Sequence, residues 1–126
     1  MRPNSGETGQ ATVELALLLP VLALLLATLV EVGMIAADQT RLWHAAGEAA
    51  RIAIVDPDRT AALAAAQRGG LVPIDMDIEP AVPERGAGRP LTVSLSYRPQ
   101  GHVPLVGRLF GGVRLHAEAT MRIEQP

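Results

Sequence analysis

Hydrophobic and polar positions follow three different rhythms along this chain. From Leu15 to Val30 there is no charge, and Leu and Ala dominate. That uninterrupted run falls just short of a usual spanning length. Taken as one element from Ala11 to Ala37, with Glu14 and Glu31 tolerated, it holds 27 residues. Such a helix is roughly 40 Å long, enough to cross a bilayer and project beyond it. Leu and Ala favour helix, and only a helix lets a lone segment satisfy its own backbone in hydrocarbon. Residues 10–37 are therefore read as a transmembrane helix. Pro20 lies inside it, frees the carbonyl four residues earlier, and predicts a bend. Such a bend is either harmless or a flexible point used when the helix leaves the membrane.

A second rhythm follows. Ala36, Thr40, Trp43, Gly47, Ala50 and Ile54 recur every three or four residues, while Asp38, Arg41, Glu48 and Arg51 supply polarity. This predicts that residues 38–57 extend the helix into water as an amphipathic element, ended by Pro57. Trp43 reads equally as an interfacial anchor or as core beneath a sheet. Asp58 to Gln67 predicts a short Ala-rich helix capped by Asp58 and stopped at Gly69-Gly70.

The third rhythm has period two. Val72, Ile74, Met76 and Ile78 alternate with Asp75, Asp77 and Glu79. Leu91, Val93, Leu95 and Tyr97 alternate with Thr92, Ser94 and Ser96. Val113, Leu115, Ala117, Ala119, Met121 and Ile123 alternate with Arg114, His116, Glu118, Thr120 and Arg122. One greasy side each predicts half-buried antiparallel strands, with the amphipathic half of the long helix as their cover. Residues 80–90 are read as a mobile Pro/Gly/Arg loop. In residues 99–112, Leu105, Val106, Leu109 and Phe110 cluster at helical spacing. They predict either a turn lying on the membrane or a plug at one end of the sheet. The expected class is an α+β membrane protein: a long N-terminal transmembrane helix, continued as an amphipathic helix and packed on a small antiparallel sheet of about three strands. Residues 58–126 form its small domain.

Composition narrows the function. The 126 residues allow one small domain beside the span. Basic and acidic residues number 11 and 13, every basic residue is Arg, and aromatics make up 2 %. Neither a basic stripe nor stacking residues point to nucleic acid. Without Cys there is no disulfide or thiolate metal site. Asp75, Asp77 and Glu79 read as a solvated acidic face, because no turn gathers them around a cation. His44, His102 and His116 are scattered, and no HExxH, nucleophile elbow or phosphate loop occurs. The chain predicts no catalytic, cofactor or metal site.

The most specific residues precede the span. Glu14 is a carboxylate at the start of the greasy run, where it is expensive, so it is a functional candidate. Gly9-Gln10-Ala11-Thr12-Val13-Glu14 sets its spacing. Met1 to Gly9 is polar, with Pro and Gly and no periodicity, and reads as disordered or processed. If the chain is cut after Gly9, Gln10 becomes the N-terminus and Glu14 the fifth residue. An ammonium and a carboxylate then lie about one turn apart, or face each other across subunits, and each offsets the other's desolvation. Two plainer readings compete: an uncleaved single-pass anchor, and a secretory signal peptide. The latter lacks a good cleavage site after the run.

This arrangement of hydrophilic leader, Gly at the cut, Glu at the fifth mature position and apolar helix resembles a prepilin. It is most similar to the TadE-like pseudopilins of the tight-adherence (Flp) pilus machinery. ARIAIVD at Ala50 to Asp56, PLVGRLFGG and the C-terminal LHAEATMRIE add to the likeness. The resemblance implies a non-catalytic minor pilin or pseudopilin of an Flp-type pilus or related secretion apparatus. It implies processing by a prepilin peptidase at Gly9 and Gln10, with residues 1–9 as leader. Glu14, and more loosely Pro20 and Glu31, would serve subunit assembly. The implied partners are that peptidase, other pilins or pseudopilins, membrane platform proteins and the lipid bilayer. Glu14 is followed by Leu15 where a major pilin of this type has Tyr, and a sizeable strand-rich region follows. Both favour a minor component. Gln10 stands where conventional type IV pilins have Phe, which leaves N-methylation open. Arg2 and the amino terminus outweigh Glu7 before the span, a small bias that puts the N-terminus in the cytoplasm. The resemblance implies the same orientation, with the C-terminal domain outside the plasma membrane. The alternative is an uncleaved membrane-anchored protein displaying a small binding domain.

Overall fold

The computed structural model describes residues 5–124. Its first element, α1 (Ser5–Ala53), is one unbroken helix of 49 residues. At about 1.5 Å per residue it is roughly 74 Å long. Its N-terminal part carries the one candidate membrane span among the described residues, with a mean hydropathy of 2.6 in its most apolar window. Nothing in the fold covers that window: Leu17, Val21, Leu25 and Leu29 are all exposed. Thr28 donates to the carbonyl of Leu24 at 2.8 Å, so this hydroxyl brings its own acceptor into the apolar stretch. The helix remains assigned through Pro20.

Two expectations about α1 need correction. Residues 5–9, read as disordered or processed, are helical. Arg2, used for the orientation, lies outside the described residues. The buried stripe of the distal half is also rotated from the expected one. It runs through Glu31, Asp38, Leu42, Ala45, Ala46, Ala49, Ala50 and Ala53, while Ala36 and Thr40 are exposed. Trp43 is 64 % exposed and is not core beneath the sheet. The alanines explain the choice. Small side chains let a second helix and a sheet approach the axis closely, which Trp43 would prevent.

That second helix is α2 (Arg59–Gln67), which packs its Ala62, Ala65 and Ala66 on α1. Asp58 caps it as the spacing predicts, accepting from the Thr60 amide at 2.9 Å and the Thr60 hydroxyl at 2.7 Å. These bonds lower the Asp58 carboxyl below its usual range. The sheet consists of β1 (Asp75–Glu79), β2 (Pro90–Tyr97) and β3 (Leu115–Arg122), in the order β1-β2-β3 and antiparallel throughout. Met76 and Ile78, then Leu91, Val93 and Leu95, then Leu115 and Ala117 face α1 and α2. Val72, expected on that face, is 56 % exposed because the strand begins only at Asp75. On the outer face Asp75 stands opposite Ser96, Asp77 opposite Ser94, and Thr92 opposite Thr120. The two threonine hydroxyls bond at 2.8 Å.

The loop between β1 and β2 holds a single 3-10 turn at Val82–Glu84. Arg85 reaches from it to the carbonyls of Pro80 at 3.2 Å and Ala53 at 3.3 Å. The latter puts a cation on the C-terminal end of α1, where the helix dipole favours it. The residues expected to be a mobile loop are thus tied to the helix. Leu95 lies at the centre of the core, 1 % exposed. Leu95→Ala is expected to destabilise the domain by about 2–5 kcal/mol, read as a lowered thermal midpoint of the full chain in detergent.

Candidate functional site

The residues singled out in the sequence fall into two groups on α1. The first is at its start. Gly9 lies inside the helix, and a Cβ built on it would meet nothing within 4 Å. Neither packing nor backbone conformation in this chain demands glycine there. Gln10 donates from its side-chain amide to the Glu14 carboxylate at 3.2 Å, across one helical turn. The sequence reading paired Glu14 with a future ammonium at position 10. In the uncut chain the side chain of that same residue already occupies one of its oxygens. Pro20 is exposed in the middle of the apolar run and touches neither group.

The second group surrounds Glu31, which directly follows the last residue of the uncharged run. Its carboxylate is completely buried. The His102 amide donates to both oxygens at 3.1 Å, and the Val103 amide donates to Oε2 at 2.8 Å. The His102 imidazole lies alongside, with Nδ1 at 3.6 Å from Oε1. Its other nitrogen, Nε2, is 3.3 Å from Oδ2 of Asp38, itself 2 % exposed. Glu31 and Asp38 are seven residues apart, two turns along one helix face, and His102 fits between them. Arg41 completes the group at 3.4 Å from Oδ1 of Asp38. A neutral imidazole offers one N–H to these two carboxylates, and an imidazolium offers one to each. Burial, and then the nearby Asp38 charge, push the Tyr97 phenol up.

The loop reaches Glu31 because two glycines allow it. A Cβ on Gly101 would come within 2.6 Å of the Gly107 Cα, and one on Gly107 equally close to the Gly101 Cα. Their backbones touch, folding residues 101–107 into a tight hairpin-like turn. Its amides at 102 and 103 then point at the helix. Within it the Gly107 amide donates to the Val103 carbonyl at 2.8 Å. A further tie, Gln39 Nε2 to the His116 carbonyl at 2.7 Å, fixes the helix to β3 just beyond the cluster.

The structure therefore joins Glu31 to His102 and Asp38, a pairing that sequence spacing did not show. The resemblance implies that Glu31 serves subunit assembly. In this chain both its oxygens face the loop. The signal was weak but present: two carboxylates at i and i+7, and two glycines bracketing His-Val-Pro-Leu-Val. No group of three His, Cys, Asp or Glu among the described residues is arranged to hold a metal ion.

Comparison with known proteins bears on the same helix. Residues 9–51 match the family model for TadE-like protein. Over these residues, about a third of its length, the chain is similar to TadE-like proteins. The matched stretch opens on Gly9 and contains Gln10, Glu14, Pro20, Glu31 and Asp38, so the resemblance read from the sequence holds over residues 9–51. It ends two residues before α1 does, leaving α2, the sheet and the 99–112 loop outside it. No curated protein and no solved structure matches the chain. By length and composition α1 is the one helix among the described residues able to cross a membrane.

Proposed function

We propose that this TadE-like chain is a minor pilin or pseudopilin. A prepilin peptidase cuts it between Gly9 and Gln10, and it serves assembly of a tight-adherence pilus or a related secretion apparatus without catalysing a reaction. The observation that carries this is the family match, which begins at Gly9 and covers the whole span. A glycine that the chain's own packing does not require supports it further. Mass spectrometry of the protein from its native membrane is the test. A mature chain beginning at Gln10 is expected. An intact chain beginning near Met1, in cells with an active peptidase, overturns the proposal.

One observation favours a second reading, an uncleaved anchor that displays a small binding domain. Helix runs without a break across Gly9 and Gln10, whereas a protease takes an extended backbone. Cutting therefore includes local unwinding of the first turn, where Gly6 and Gly9 both weaken the helix.

In the proposed orientation the N-terminus is cytoplasmic and the sheet domain lies outside the membrane. Protease added to intact spheroplasts should then remove the domain beyond Asp38. Protection there until lysis would reject this orientation.

Glu14 has its main part after cutting. The new ammonium of Gln10, or that of a neighbouring subunit, replaces a carboxamide as its partner, a stronger interaction in a poor dielectric. Glu14→Ala is expected to be cut normally and to fail to co-purify with the other pilins. The check is N-terminal mass together with pull-down of the assembly. Normal co-purification would assign assembly to other residues.

A further inference from the structure

The loop that clasps Glu31 turns two large apolar side chains away from the protein. Leu105 is 81 % exposed and Leu109 is 78 % exposed, while Val106 between them is 2 % exposed and Gly107 is buried. Val106 and Gly107 form the buried side of the loop and Phe110 is half-buried, so the expected plug accounts for only half of its apolar residues. Leu105 also has a φ of 68°. That left-handed conformation is unfavourable for a branched, bulky residue and points to a role at the site where it is kept.

Position supplies the occupant. The amides of His102 and Val103 bind the carboxylate of Glu31. Leu105 therefore lies two residues from an anchor on the helix, and that anchor adjoins Val30, the end of the uncharged run. Around it the helix surface is itself apolar and open: Val30 is 56 % exposed, Val32 49 % and Met34 39 %. From Gln10 to Val30 the helix is roughly 30 Å long, the thickness of the hydrocarbon core. Glu31 thus stands where hydrocarbon gives way to headgroups, and the loop stands beside it. Arg108, exposed between the two leucines, has an aliphatic stem that suits this depth and a guanidinium that reaches lipid phosphate.

We propose that the Val103–Phe110 loop is a second membrane contact. Leu105 and Leu109 enter the headgroup–acyl boundary of the bilayer that the helix crosses, and they seat the domain against its surface. Glu31 is the positioning residue that holds the loop at this depth. The inference rests on the span reading, and the test separates the two.

The chain contains no Cys, so single substitutions give unique labels. Leu105→Cys, Leu109→Cys, Leu22→Cys in the span and Glu118→Cys on the outer sheet face each carry a polarity-sensitive fluorophore. The full chain is reconstituted at high lipid ratio in phosphatidylcholine–phosphatidylglycerol vesicles. Labels at 105 and 109 are expected to emit at shorter wavelength than the label at 118. They should be quenched by nitroxide placed shallowly on the lipid chains, and several-fold less by aqueous iodide than the label at 118. Iodide quenching equal to that at 118, with the Leu22 label still in lipid, overturns the loop contact and leaves the span standing. A Leu22 label in water overturns both. Shielding at 105 and 109 that disappears on dilution into more lipid identifies a second copy as the occupant and also overturns it.

Discussion

Gly9→Val is expected to reach the membrane, fold, and remain uncut. The folded chain has room for the larger side chain, because a Cβ at this position meets nothing within 4 Å. Loss of cutting would therefore reflect the peptidase site and not a damaged substrate. A narrow site that accepts an extended glycine backbone meets a branched carbon and its two methyl groups, three added carbons. Overpacking of that kind costs about 3 kcal/mol, which slows the step roughly a hundredfold. Gly9→Ala adds one methyl group and strengthens the helix by about 1 kcal/mol, so a smaller, partial slowing is expected. The measurement is the fraction of chain beginning at Gln10 after pulse labelling, followed by mass. Equal processing of Gly9→Val and the parent chain would remove Gly9 from the proposed recognition element.

The legible parts of this fold are those where one physical requirement acts on many consecutive residues. Leu15 to Val30 reads as a span because every side chain there meets the same apolar surroundings, and the fold leaves that stretch uncovered. The strands read correctly because Met76 and Ile78, or Leu91, Val93 and Leu95, repeat one choice at period two. Asp58 marks the start of α2 because its capping oxygen acts on a residue only two positions away.

What stayed hidden depends on distant partners. Ala is compatible with either side of a helix, so Ala45, Ala46, Ala49, Ala50 and Ala53 did not fix the rotation of α1, and the single large residue Trp43 drew the expected face toward itself. Glu31 reads as a subunit-assembly residue in the span and Asp38 as polarity on its extension, because carboxylates are costly to bury within one chain. They are buried because a loop about seventy residues later supplies amides and an imidazole. His102 was one of three scattered histidines until the contact of Gly101 with Gly107 brought it to the helix. The start of α1 was missed for the opposite reason. Its composition favours no helix, and the segment continues one that is set by the span.

The same cluster gives the second large effect. Glu31→Ala is expected to release the 101–107 turn while leaving the sheet intact. Its carboxylate is the hydrogen-bond acceptor for the amides of both His102 and Val103. Removing it leaves two backbone donors facing a helix side chain that accepts nothing, and a group left unsatisfied in a buried site drives the segment toward water. The His102 imidazole also loses one of its two carboxylate neighbours. Hydrogen exchange at the amides of residues 102 and 103 should accelerate by more than about tenfold, the equivalent of one hydrogen bond to a charged group. Trypsin should then reach Arg108 sooner. Amides of Val93 and Leu95, on the central strand, should keep their protection, because their core residues touch α1 well beyond Glu31. Glu31→Gln keeps one oxygen acceptor and should fall between the parent and Glu31→Ala. Gly107→Ala approaches the same state from the other side, since its new methyl group would lie 2.6 Å from the Gly101 Cα and force the turn open. Unchanged exchange at 102 and 103 in Glu31→Ala would mean that contacts such as those of Val106 hold the loop unaided. Loss of protection at 93 and 95 as well would make Glu31 a determinant of the whole domain's stability.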